Sequence, residues 1–160
     1  MTDHENSDPD LENADPENAD LDNADLAPAA PSGPDQTPVT TIAEAQDRVA
    51  RLVGSAIRRQ LWLMLLDRDG VQLPVVIPIE DIPLRPQSGH LTELAARFAE
   101  LLGSYAPGGS VILTLERPGG PDLTAPDQAW ASELRASFGS TLRITALFVA
   151  SDDGIVELAA

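Results

Sequence analysis

The stretch LTLERPGGPDLTAPD, Leu113–Asp127, decides how the rest of the chain is read. An apolar run ends in Glu116-Arg117-Pro118, crosses a Gly/Pro loop and restarts at Thr124-Ala-Pro-Asp127. Thr124 suits an N-cap, Pro126 the first helical turn and Asp127 the third helical position. The stretch is therefore a strand–loop–helix junction. Its polar residues, Glu116, Arg117, Thr124 and Asp127, are the candidate binding residues of the chain.

Working outward, a helix is expected from about Ala125 to Phe138, with Gly139 after it and Trp130, Leu134 and Phe138 turned inward. Leu142–Ala150 and Ile155–Leu158 then read as a closing hairpin through Asp152-Asp153-Gly154. Upstream, Val111–Leu115 is short and apolar enough to be a central strand. Before it comes an amphipathic helix that buries Leu91, Leu94, Ala95, Phe98, Leu101 and Leu102 and stops at Gly103. Leu61–Leu66 and Val71–Ile79 read as two strands joined by the turn Asp67-Arg68-Asp69-Gly70. Alternation puts Val71, Leu73, Val75, Ile77 and Ile79 on one face, and Pro74 and Pro78 mark an edge or a bulge.

Folding begins near Thr41, where Thr41-Ile-Ala-Glu44 has the spacing of a capping box. A helical stripe follows through Ile42, Ala45, Val49, Val53, Ala56 and Ile57, with Arg58-Arg59 expected to close the helix. The order is α-β-β-α-β-α-β-β, a layered α/β or α+β domain with a mixed sheet flanked by helices. It occupies residues 39–160 and is long enough for a single core.

Residues 1–38 are different in kind. LENAD, PENAD and LDNAD repeat over residues 11–25, a period of five that matches neither a helix nor a strand. The segment holds 11 acidic groups and no Lys or Arg. With so few large apolar residues it is expected to be a disordered acidic tail. Its Asp and Asn do not follow the EF-hand pattern, since counting from Asp20 the sixth and twelfth positions are Asp25 and Pro31. The remainder carries 15 acidic groups against all ten Arg of a chain whose net charge is −16.

That charge is repelled by nucleic-acid phosphates and by anionic membrane surfaces. The expectation is no nucleic-acid partner, no membrane partner and a cytoplasmic location. No cysteine is present, which removes thiolate nucleophiles and thiolate metal sites. No Lys is present to complete a P-loop, and no Gly-x-Gly-x-x-Gly occurs, so no cofactor is expected. His4 and His90 are the only histidines, His4 in the tail and His90 just before a helix. Glu80 and Asp81 are neighbours on a strand and point to opposite faces, a poor acid/base pair. Asp67 and Asp69 suit turn chemistry, and Trp62 and Trp130 read as core aromatics.

At the opening stretch the chain resembles the JAB/MPN (JAMM) domain, in particular its bacterial RadC-like branch. There a strand ends in His-x-His-Pro and a Gly-containing loop leads to Ser-x-x-Asp at a helix start. The resemblance lays those motifs on Leu115-Glu116-Arg117-Pro118 and Thr124-Ala-Pro-Asp127, with the loop about one residue shorter. It implies zinc held by two His and an Asp, with a Glu from the early hairpin activating water for isopeptide or peptide hydrolysis. Here the His positions are Leu115 and Arg117, and the Glu falls near Leu73 or Pro74. Pro118, the glycines, Thr124 and Asp127 match. The stretches LPVVIPIEDIP and LERPG are also similar to those of a type of actinobacterial protein to which no activity attaches.

The resemblance thus implies a pseudoenzyme without metal, a protein-binding or scaffolding module with an acidic arm. Arg117, at the second His position, brings a positive charge where the resemblance has a cation and is expected to pair with Asp127, while capping alone also accounts for Thr124 and Asp127. Two rivals stand beside this reading. One is an enzyme of another class with a small polar cleft around Glu116, Arg117, Thr124 and Asp127. The other is an oligomerising domain that pairs with its own copies through a sheet edge.

Overall fold

A computed structural model describes residues 36–159, and residues 1–35 of the segment read above as a disordered tail lie outside them. The elements are α1 (Ile42–Val53), β1 (Gln60–Leu66), β2 (Gln72–Glu80), α2 (Ser88–Tyr105), β3 (Ser110–Glu116), α3 (Ala125–Gly139), β4 (Arg143–Ser151) and β5 (Gly154–Glu157). This is the order expected from the sequence. The fold is α+β, three helices on an open five-stranded sheet ordered β2-β1-β3-β4-β5. β3 and β4 run parallel, joined through α3, and the other neighbours are antiparallel.

Strand alternation divides the core into two layers. On β1 and β3, Leu61, Leu63, Leu65, Val111, Leu113 and Leu115 pack against α2 and α3. The alternate residues Met64, Leu66 and Ile112 join Ala45 and Val49 of α1 beneath the other face. β3 is central and covered on both sides, so each of its seven residues is buried. That is why its sequence reads as a nearly unbroken apolar run rather than an alternating one.

Local chemistry accounts for most element ends. The Thr41 hydroxyl accepts from the Glu44 N–H at 3.2 Å, and the Glu44 carboxylate accepts from the Thr41 N–H at 3.0 Å, closing the capping box. In the first hairpin the Asp67 Oδ1 accepts from the N–H groups of Asp69 and Val71, both at 2.9 Å, so this acid serves the turn.

Four details differ from the sequence reading. α1 ends at Val53, not at Arg58-Arg59, because Gly54 takes φ 62°, a conformation that ends the helical stripe. Ile57 is consequently 72% exposed, and Arg58 pairs with Glu80 at 2.8 Å instead of closing a helix. α2 runs through Gly103 to Tyr105, and Leu101 lies at its surface. On β2 the five residues Gln72 to Val76 lie opposite the three from Leu66 to Met64. That bulge carries Val75 out of the core face that Leu73, Ile77 and Ile79 share.

β2 is an edge strand, and Pro78 sits opposite Trp62 in its ladder. A proline holds such a place only where its nitrogen faces away from the neighbour, so the open edge lacks a donor there. The opposite edge, β5, is four residues long. A missing donor and a short strand are both features that weaken a sheet edge as a template for pairing.

Candidate functional site

The end of the sheet where β3 stops holds all four sequence-predicted residues, and alternation divides them. Glu116 is the last residue of β3 and turns toward the face that carries Gln60 and Trp62. Arg117 follows it and turns toward the start of α3. The two share no partner among the described residues. A single cleft around Glu116, Arg117, Thr124 and Asp127 is therefore not what the fold builds.

Arg117 and Asp127 form a closed pair, 4% and 0% exposed. The Arg117 Nε donates to both Asp127 carboxylate oxygens, at 2.9 and 3.1 Å. Its two terminal nitrogens donate to the carbonyls of Gly120 at 2.8 Å and Asp122 at 2.7 Å. Asp127 also accepts from the Thr124 N–H at 2.8 Å, and the Thr124 hydroxyl accepts from the Asp127 N–H at 3.3 Å. The cap and the ion pair, read from the sequence as alternatives, are one assembly. Gly119, at φ 105°, lets the loop reverse, and its N–H donates to Asp152 at 2.9 Å. The loop from Arg117 to Thr124 is thus fixed to α3 by side chains and to the β4–β5 turn by its backbone.

Glu116 is 1% exposed and among the described residues has no cation against it. Its Oε1 accepts from the backbone N–H groups of Ile57 at 2.8 Å and Arg58 at 3.4 Å. Its Oε2 accepts from the Trp62 indole at 2.7 Å and from the Gln60 amide. Burial raises the pKa of this carboxyl, but the donations from Trp62, Gln60, Ile57 and Arg58 together outweigh it and hold the pKa below the ordinary 4.5. Trp62, read from the sequence as a core aromatic, is in fact half-buried and serves Glu116. A Glu ending an apolar strand is a visible oddity, but its donors emerge only from the β1–β3 register, in which Gln60 faces Glu116.

Zinc requires three protein ligands that offer lone pairs. Leu115 is wholly buried in the apolar core, and the Arg117 cation rests on Asp127, so the residues at these positions do not fit a zinc ion. Register also separates Leu73 and Pro74 from them. Gln72 faces Leu66 and thence Ser110, at the far end of the sheet, whereas Glu80 faces Gln60 and thence Glu116. No group of three His, Asp or Glu among the described residues is arranged to hold a metal.

Beside the Arg117–Asp127 clamp lies a cleft of about 480 Å³ that the sequence reading missed. Its floor is Leu61, Ile79, Ile82, Leu91, Leu94 and Trp130. Glu80, Asp81, Gln87 and His90 form an exposed rim. Trp130, one turn beyond Asp127, is 2% exposed, and its indole N–H donates to the carbonyls of Pro83 at 3.1 Å and Leu84 at 3.2 Å. That pins the 81–87 loop to α3 and fixes the wall of the cleft. A lone Trp on a helix gave no signal of this, because its partners are backbone carbonyls in a loop more than 45 residues away.

No helix among the described residues is long and apolar enough to cross a membrane. Comparison with protein-family models and with curated proteins returns no match.

Proposed function

We propose that the chain is a non-catalytic protein-binding module of JAB/MPN-like architecture, carrying an acidic N-terminal arm over residues 1–38. The observation that carries this reading is the Arg117–Asp127 pair. Both groups are sealed from solvent, and each donor of the guanidinium that the structure engages is spent on Asp127 or on the loop carbonyls of Gly120 and Asp122. Glu116, the other acid of the four candidate residues, is buried against four neutral donors on the other face. A catalytic acid or base must reach substrate, and neither carboxylate does. The element order and the Thr124–Asp127 helix start support the JAB/MPN-like part of the reading.

The test is capture of partners by the full chain from its native organism, followed by reconstitution with the purified partner. A defined complex and metal-free protein are expected. Zinc bound one to one in the purified protein, with hydrolysis of an isopeptide or peptide substrate, overturns the reading.

A further inference from the structure

The cleft beside Trp130 lies outside the Arg117–Asp127 clamp. Its volume of about 480 Å³ lies within the roughly 300–1,000 Å³ typical of ligand sites. Ile82, Leu91 and Trp130 give it an apolar floor that is buried and pinned. Its rim is acidic. Glu80 is already engaged by Arg58, but the Asp81 carboxylate makes no hydrogen bond or ion pair among the described residues.

Asp81 is also the only non-glycine among the described residues with positive φ, at 54°. That conformation is uncommon for an L-residue, and among the described residues no side-chain hydrogen bond or ion pair of Asp81 compensates it. Leu84, in the loop that walls the cleft, is 58% exposed. An apolar hollow, a free carboxylate at its lip and an exposed Leu84 in the same loop suit an extended segment better than a compact molecule.

We propose that this cleft docks a basic–hydrophobic segment of a partner protein, which inserts one large apolar side chain over Trp130 and sets a Lys or Arg against Asp81. The proposal rests on the binding-module reading and names the surface and the partner chemistry. Charge complementarity selects the occupant: the lip is acidic, and the domain from residue 39 onward is itself net negative.

Three capped pentapeptides test it, titrated into the isotopically labelled full chain and followed by NMR. They are Gly-Arg-Phe-Arg-Gly, Gly-Glu-Phe-Glu-Gly and Gly-Arg-Ser-Arg-Gly. The first is expected to give saturable shifts at the amides of residues 81–91 and at the Trp130 indole, with a Kd of about 1 mM or below. The other two are expected to bind at least about fivefold more weakly. Asp81→Asn is expected to weaken the first peptide about threefold, as an exposed charge pair should. Asp81→Gly, which also relaxes the backbone, is expected to match it, separating lost charge from altered geometry. Equal binding of the Glu-flanked peptide, shifts confined to other surfaces, or no saturable shift overturns the proposal. Reconstitution with a captured partner does not use these peptides, so it judges the binding-module reading separately.

Discussion

Glu116 and Asp127 sit at the same end of the sheet and are equally sealed from water, yet the fold meets their charges in different ways. Asp127 receives a cation, Arg117, together with the donor of its own helix cap. Glu116 receives no cation and is held by two backbone N–H groups, an amide and an indole. In each case the carboxylate fastens a loop: Asp127, through Arg117, the stretch before α3, and Glu116 the stretch between α1 and β1. The comparison teaches that a buried acid at a strand end is no evidence of catalysis until its partners are known. Here both are consumed by the fold.

The largest expected effect comes from leaving one of these charges alone. Arg117→Met strands the Asp127 carboxylate and also releases the carbonyls of Gly120 and Asp122. Removing one partner of a buried pair typically costs about 3–5 kcal/mol, and urea unfolding at neutral pH should show a loss of that size. A loss below about 1 kcal/mol would mean the pair is open to water in solution.

Glu116→Gln is gentler, because the shape stays and the charge goes. An amide presents N–H groups where the site offers only donors, so at least one group is left unpaired, at about 1–3 kcal/mol. The same variant sharpens the comparison through pH. The Glu116 carboxyl is held below its ordinary value of 4.5, so its contribution is complete above that value. As the pH falls toward the lowered value the carboxylate takes up its proton and the contribution is lost. The wild-type chain should therefore lose more stability than Glu116→Gln on acidification below 4.5. Parallel acid limbs would show that the donor cage around Glu116 does not favour the charged form.

The smallest effect belongs to the exposed pair between Arg58 and Glu80, whose side chains are about half accessible. Glu80→Gln should change stability by less than about 1 kcal/mol, with the change shrinking further in added salt.

The sequence showed the elements more clearly than their alliances. Thr124, Pro126 and Asp127 announced a helix start by local chemistry, and Arg117 by its charge pointed to Asp127. Both interactions lie within ten residues along the chain, so spacing was informative. Glu116 was legible only as an oddity, since Ile57, Arg58, Gln60 and Trp62 meet it across 54–59 residues through sheet pairing. The position near Leu73 or Pro74, placed by the family resemblance, was equally out of reach of local spacing, because the register carries it to the far end of the sheet. The cleft was invisible because its walls come from four separate elements and its key residue, Trp130, anchors to backbone.

The claim that Arg117 and Asp127 exist for one another is tested most directly by a double-mutant cycle on stability, using Arg117→Met, Asp127→Asn and the two together. The single changes should each be strongly destabilising and the double change much less than their sum, with a coupling of about 2–3 kcal/mol. Additive losses, with a coupling under about 0.5 kcal/mol, would show that the two residues act separately and would contradict the account.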